Sequence, residues 1–181
     1  MAMTLSKRQN QAVQAGQEAS DLEDLFQQHW SRLCGLLFRL VGDWDEAQDL
    51  ALDAFLKLYS QPPADQRNLG GWLYRVGTNL GFNALRARQR RIKYEEEAGL
   101  QAIQADPPAD PAAQLEAAQE RQQVCLTLAA MPPRFAQALL LRHSGLSYAE
   151  IAAALGVSSG SVGTILARAE REFERRYTGK K

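Results

Sequence analysis

The residues best suited to act on another molecule lie between positions 72 and 90. Trp72, Arg75, Asn79, Phe82, Arg86 and Arg90 recur at steps of three and four. At 100° per residue they gather on one side of a helix, with Trp72 at its edge. Guanidinium groups hold phosphate oxygens through charge-assisted hydrogen bonds, and aromatic rings stack on unpaired bases. A face carrying both suits single-stranded nucleic acid. The aromatics equally suit the core of a helical bundle, with the arginines left to water.

Nothing else has the spacing of an active site. His29 and His143 each lack a second histidine or cysteine at ligand spacing, which argues against a metal site. Cys34 and Cys125 are far apart and form no CxxC, so neither a disulfide framework nor a cysteine zinc site is expected. No GxGxxG, GxxxxGK[ST] or GxSxG occurs. The run Glu95-Glu96-Glu97 sits among charged residues, a poor setting for raised carboxylate pKa values. The expectation is a non-enzyme with no cofactor, no metal and no small-molecule substrate.

The balanced charge hides a pattern. Residues 1–60 carry 5 basic and 9 acidic side chains, and residues 61–94 carry 7 and 1. Residues 95–120 carry none and 7, and residues 121–181 carry 9 and 4. Two basic blocks separated by an acidic one offer two places to meet a polyanion, or simply two solvated faces. With 45% hydrophobic and 23% charged residues the chain reads as globular, and 181 residues fit one ordinary domain or two small ones. No apolar run approaches the ~20 residues of a membrane helix. Met1 to Ser20 lacks the apolar stretch of a secretory signal, so a cytoplasmic location is expected.

The elements that must position these residues all read as helices; β-branched alternation and Asn-Gly turns are nearly absent. Ser20 and Glu23 form a capping-box pattern, and Leu22, Phe26, Trp30, Leu33, Leu37 and Leu40 then trace one helical face. Gly42 ends that helix and Asp43 caps the next. There Glu46, Asp49 and Asp53 share a stripe opposite Ala47, Leu50, Ala54 and Leu58, until Pro62-Pro63 stops it. A third helix is predicted from about Leu69 to Arg91, with Leu69, Leu73, Val76, Leu80 and Ala84 inward. The acidic, Pro/Ala-rich segment 95–111 reads as a flexible linker, and Asp110-Pro111 starts a new helix. After Pro132-Pro133 comes a short helix ended near Gly145. Ser147-Tyr148-Ala149-Glu150 is another capping box, Gly156 supplies a turn, and Ser158 caps a last helix with Val162, Ile165, Leu166 and Ala169 inward. That spacing is a helix-turn-helix, whose second helix lies in the DNA major groove with Arg168, Arg171, Arg175 and Arg176 near phosphates. An ordinary helical hairpin is the alternative. The fold class is therefore all-α: a polar, disordered tail over 1–20, a helical domain over 21–94, the linker over 95–111, and a helix-turn-helix domain over 112–177.

The stretches DWDEAQDL (43–50), GWLYRVGTNL (71–80) and LSYAEIAAALGV (146–157), in that order and across a linker, resemble bacterial RNA polymerase sigma factors. The similarity is to the extracytoplasmic-function group, which keeps only conserved regions two and four. The resemblance implies an acidic helix docking on the clamp coiled coil of the polymerase's largest subunit, here Asp45, Glu46, Asp49, Asp53 and Phe55. It implies promoter melting and downstream-element binding at Asp65, Gln66, Arg67, Asn68, Trp72, Arg75, Asn79, Asn83 and Arg86. It implies upstream-element reading in region four, where Ser147, Tyr148, Ser158, Ser159, Ser161, Thr164, Arg168 and Arg171 are the matching positions. The implied partners are core RNA polymerase (its largest and second-largest subunits), promoter DNA and an anti-sigma factor, with the free chain a monomer.

The chain departs from the family at Gly163 and Ile165, where basic residues are usual, and at Leu52, where a polar residue is common. Gly160 and Gly163 weaken their helix by roughly 1 kcal/mol each relative to Ala. Two other functions compete: a sigma mimic that sequesters an anti-sigma factor, which would tolerate a weakened reading helix, and a stand-alone helix-turn-helix regulator, which leaves residues 21–94 unexplained and predicts a two-fold dimer on a palindrome.

Overall fold

The computed structural model describes the backbone of residues 2–97 and 111–179, with side chains over 22–95 and 118–179. Among the described residues there is no strand. The helices are α1 (Ala2–Val41), α2 (Trp44–Ser60), α3 (Leu69–Glu97), α4 (Pro111–Ala130), α5 (Pro133–His143), α6 (Tyr148–Leu155) and α7 (Ser159–Thr178).

The helix ends follow local chemistry. Gly42, at φ 79°, closes α1, and the Asp43 carboxylate accepts the Glu46 backbone N–H at 2.8 Å to start α2, satisfying one of the orphan amides of a helix N-terminus. Pro111 is the first residue of α4, as a ring that lacks an N–H and fixes φ prefers. Two expectations are corrected here. α1 does not begin at Ser20 but runs back to Ala2; residues 2–19 are rich in Ala and Gln, good helix formers, so nothing local stops the helix there. α3 continues past Arg91 to Glu97. The remaining linker residues, 98–110, lie outside the described residues.

α1, α2 and α3 pack on one another around Leu33, Leu36, Leu37, Leu40, Leu73 and Phe82, all essentially inaccessible to water. Replacing one of these leucines by Ala would cost about 2–5 kcal/mol, because removed methyl groups leave a cavity. α3 approaches α1 closely at Gly77, where an added Cβ would lie 2.7 Å from a Leu33 methyl. The buried face of α3 is Leu73, Tyr74, Gly77, Thr78, Gly81, Phe82 and Leu85, rotated by about one residue from the expected stripe. Leu69, Val76, Leu80 and Ala84 flank it, half-buried. Small residues at 77 and 81 move the line of closest approach toward themselves.

α4 to α7 form the second unit. Its core is Leu128, Ala136, Leu139, Leu141, Leu146, Ile151, Val162, Leu166 and Ala169. The two units touch: α6 lies against α3. No single helix among the described residues is long and apolar enough to cross a membrane.

Candidate polymerase and nucleic-acid interfaces

The first candidate surface is the outer face of α2. Asp45, Asp49 and Asp53 are exposed and Glu46 is half-buried. Carboxylates at 45 and 46 also favour the positive end of the helix dipole. The acidic row is not alone: Leu52, Leu56 and Tyr59 are 46%, 53% and 76% exposed on the same helix. Leu56 and Tyr59 escaped the sequence reading, although both fall outside the Ala47–Ala51–Ala54–Leu58 stripe. Large apolar side chains held in water beside carboxylates give this helix a mixed acidic and apolar outer face. Phe55 is a correction. It turns inward, 5% exposed, and packs on Phe26 and Trp30 with ring centroids 5.0 and 6.1 Å away. At the i+4 position from Ala51 it must face the core, so it supports α2 from beneath and cannot itself touch a partner.

The second surface is the 65–68 loop and the edge of α3. Asp65 and Arg67 hold each other: Nε and Nη2 of Arg67 donate to the two carboxylate oxygens at 2.8 and 2.7 Å. These hydrogen bonds lower the Asp65 pKa to about 2. Both side chains are otherwise open to solvent, as is Gln66. Asn68 is the N-cap of α3, its side-chain oxygen accepting the Gly71 N–H at 2.8 Å, so its first task is structural. The loop opens onto a cleft of about 450 Å³, which Leu25, Gln28 and His29 of α1 and Tyr74 of α3 also line. His29 is hydrogen-bonded to the Tyr74 hydroxyl at 3.1 Å. Burial, then the nearby Arg32 charge, lowers the His29 pKa, against a smaller opposing effect of Glu150. His29 is thus a neutral packing partner of Tyr74.

Along α3, Arg75, Asn79 and Asn83 are exposed, and Trp72 and Arg86 are half-buried. The expected face therefore forms, with one correction. Phe82 is 2% exposed and belongs to the core, because the inward stripe is rotated toward it. Its contribution is indirect, since the Arg86 guanidinium lies over its ring at 5.9 Å. Arg86 also donates to the Asn83 side-chain oxygen and to the Ala129 carbonyl, each at 3.4 Å. Trp72 remains as the aromatic at the edge.

The third surface is the helix-turn-helix. Ser147 and Glu150 form a reciprocal capping box at the start of α6. Gly156 takes the left-handed conformation, φ 66° and ψ 43°, that lets α6 stop and α7 begin. Val162, Ile165, Leu166 and Ala169 are buried as expected. Ile165 is thus a core residue, and its apolar character says nothing about DNA reading. Ser159, Thr164, Arg168 and Arg171 are exposed, and Ser161 is half-buried. Ser158 occupies the cap position of α7 but makes no cap hydrogen bond; its hydroxyl pairs with that of Ser161 at 2.8 Å. Tyr148 is exposed, with the Arg142 guanidinium 5.5 Å from its ring centre. Arg175 and Arg176 are both bonded to Glu172, whose pKa falls to about 2. Arg176 also donates to the Ala130 carbonyl at 2.7 Å. Arg176 thus ties α7 to α4, Arg175 pairs within α7 and stays largely exposed, and Arg168 and Arg171 are exposed earlier on the same helix.

Among the described residues no three His, Cys, Asp or Glu side chains gather as metal ligands. Cys34 and Cys125 are free and buried, and burial raises both thiol pKa values.

Residues 14–91 match the sigma-70 region 2 family, and residues 121–173 match sigma-70 region 4. The chain is 32% identical over 155 residues to the ECF RNA polymerase sigma factor SigE of Mycolicibacterium smegmatis, covering 83% of this chain and 59% of that one, less than two thirds of its length. It is 30% identical over 181 residues to the ECF RNA polymerase sigma factor SigW of Bacillus subtilis, covering 93% and 94% of the two chains. The RNA polymerase sigma-H factor of Pseudomonas aeruginosa is 32% identical over 90% of this chain and 89% of its own. A solved structure of the sigma factor RpoE in complex with the anti-sigma factor NepR from Bartonella quintana shares the fold, with TM-score 0.50 and 20% identity, covering 89% of this chain and 99% of that one.

Proposed function

The chain belongs to the extracytoplasmic-function sigma factors of bacterial RNA polymerase, and on that premise we propose how its surfaces divide the work of promoter recognition and initiation. α2 binds the core enzyme: Asp45, Glu46, Asp49 and Asp53 meet cationic groups while Leu52, Leu56 and Tyr59 supply apolar area. The loop 65–68 and the edge of α3, with Trp72, Arg75, Asn79, Asn83 and Arg86, hold the separated strand of the downstream promoter element. Unstacking a base step costs a few kcal/mol, which stacking and phosphate contacts on this edge offset. α7 lies in the upstream major groove, with Ser159, Ser161 and Thr164 near base edges and Arg168 and Arg171 on phosphates. Tyr148, Ser147 and Ser158 flank that groove contact. The chain performs no covalent chemistry, works in the cytoplasm, and is a monomer until it meets the polymerase or an anti-sigma factor.

The observation that carries this reading is the coexistence on one chain of an exposed acidic–apolar helix, an arginine- and tryptophan-bearing edge, and a helix-turn-helix. A sigma mimic has no use for the α3 edge, and a stand-alone regulator has no use for the α2 face. The test is co-elution of the purified chain with core bacterial RNA polymerase at moderate salt. The expected result is a complex that disappears in the Asp49→Lys/Asp53→Lys double variant. A folded, inhibitor-free chain that never co-elutes would refute the reading in favour of a mimic or a simple DNA-binding regulator.

A further inference from the structure

The start of α7 is short of positive charge. Residues 159–167, SGSVGTILA, carry no charged side chain, and the first cation of the helix is Arg168. Phosphate contacts supply most of the affinity of a helix in a groove and fix its register. At 100° per residue Gly163 lies about 140° around α7 from Arg168. The two therefore mark opposite edges of the outer face, with Thr164 between them, and only the Arg168 edge carries a cation of its own.

The Gly163 edge is covered by residues from the other two helices of the motif. A Cβ at Gly163 would lie 3.8 Å from Cε2 of Tyr148. The Tyr148 ring is 46% exposed, and the Arg142 guanidinium lies over it, 5.5 Å from its centre. Gly163, Tyr148 and Arg142 thus form one continuous patch drawn from α7, α6 and α5. The backbone fixes it. Gly145, at φ 78°, reverses the chain after α5. Its N–H donates to the Arg142 carbonyl at 3.0 Å, and the Leu146 N–H donates to the Leu141 carbonyl at 3.2 Å. The buried Leu146 side chain anchors this turn, and the Ser147–Glu150 capping box starts α6 at Tyr148. Arg142 is exposed, and among the described residues no carboxylate pairs with it. A cation in the last turn of α5 also favours the negative end of that helix dipole. The dipole alone gives no reason for a ring beneath the guanidinium on the α7 side.

We propose that Arg142, laid on the Tyr148 ring beside Gly163, contacts a backbone phosphate of the upstream element and so holds, from α5, the groove edge that α7 leaves without a cation. The proposal rests on the assignment of α7 to duplex DNA. A guanidinium stacked on an aromatic face keeps its in-plane N–H donors free for phosphate oxygens. Arg142 is the contact, and Tyr148 is its positioning residue.

The test is fluorescence anisotropy of the full chain with a labelled mixed-sequence duplex of about 24 base pairs, titrated at several salt concentrations. A mixed sequence suffices because phosphate contacts are independent of sequence. Arg142→Gln is expected to weaken binding about 5-fold and to flatten the slope of log affinity against log salt by about 0.9, the value of one phosphate. Tyr148→Phe keeps the ring and is expected to change neither quantity, whereas Tyr148→Ala is expected to weaken binding. Gly163→Lys is expected to restore the slope in the Arg142→Gln background and to add less in the parent, where two cations share one phosphate. Weaker binding of Arg142→Gln with an unchanged slope would reduce the residue to a structural role and overturn the proposal. Equal gains from Gly163→Lys in the two backgrounds would overturn the shared phosphate. Arg168→Gln separates this proposal from the reading beneath it. If Arg168→Gln lowers affinity and slope while Arg142→Gln changes neither, the proposal fails and the assignment of α7 stands. If neither variant changes either quantity, the assignment of α7 itself fails.

Discussion

The two helices proposed to meet DNA, α3 and α7, carry different surfaces. α3 presents Arg75 and Arg86 with Trp72 at its edge, and packs so tightly on α1 that Gly77 has no room for a methyl group. α7 presents mostly hydroxyls, with Gly160 and Gly163 in its first turns and Arg168 and Arg171 further along. Phosphate contacts dominate DNA affinity, and base contacts need rigid, well-placed side chains. On the proposed assignment, the difference implies that binding strength is concentrated on the region-two edge. On the same assignment, region four would contribute a lighter, more adaptable contact.

The largest expected effect lies on neither DNA surface and serves as the control. Asp49→Lys/Asp53→Lys should weaken polymerase binding on the order of 100-fold, because attractive contacts become repulsive ones, as read by gel filtration or anisotropy. Next, Arg75→Ala and Arg86→Ala should each reduce promoter opening about 10-fold, the loss of one charge-assisted hydrogen bond, with polymerase affinity unchanged. Permanganate reactivity of unpaired thymines reads this directly. Arg168→Ala and Arg171→Ala should each lower upstream duplex affinity only several-fold, uniformly across sequences, and reduce the salt dependence by about one phosphate contact. An effect at 168 or 171 as large as that at 75 or 86 would break the comparison.

A smaller effect sharpens it. Gly163 lies 3.8 Å from Tyr148, an ordinary contact for a new methyl group. Gly163→Ala should therefore stabilise α7 by about 1 kcal/mol and raise the melting temperature by roughly 2–4 °C. The smallest effect is a pH dependence in region two. The folded state lowers the His29 pKa below its ordinary 6.5. Between that lowered value and 6.5 the unfolded chain binds more protons than the folded one, so stability is full above 6.5 and declines as pH falls below it. Urea midpoints at pH 7.5 and 5.5 should differ by less in His29→Gln than in the parent.

What was legible in the sequence was whatever depends on local spacing. The Asp43 cap, the Ser147–Glu150 box, the Gly156 turn and the buried row of α7 are all set by residues within a few positions of one another. Spacing alone leaves Phe82 open between the basic face and the core, and tertiary packing decides between them. Phe55 is placed outward only by the family resemblance, whereas its step of four from the buried Ala51 carries it inward. Small residues at 77 and 81 rotate α3 by about one residue and carry Phe82 inward. The start of α1 was misplaced because a capping pattern marks where a helix is able to begin, not where it must. Arg32–Glu150 and Gln137–Asn79 join residues 118 and 58 positions apart, and no periodicity reports such a pair. Leu56 and Tyr59 had a faint signal, as large apolar residues off the inward stripe, which a charge-led reading of α2 passes over.

The central claim is the unequal division of promoter recognition between α3 and α7. It is tested most directly by selecting transcribed templates from a pool randomised across both promoter elements, using polymerase reconstituted with this chain. The account predicts a sharp sequence preference at the downstream element and a shallow one upstream. A sharp upstream preference over a flat downstream one would contradict it.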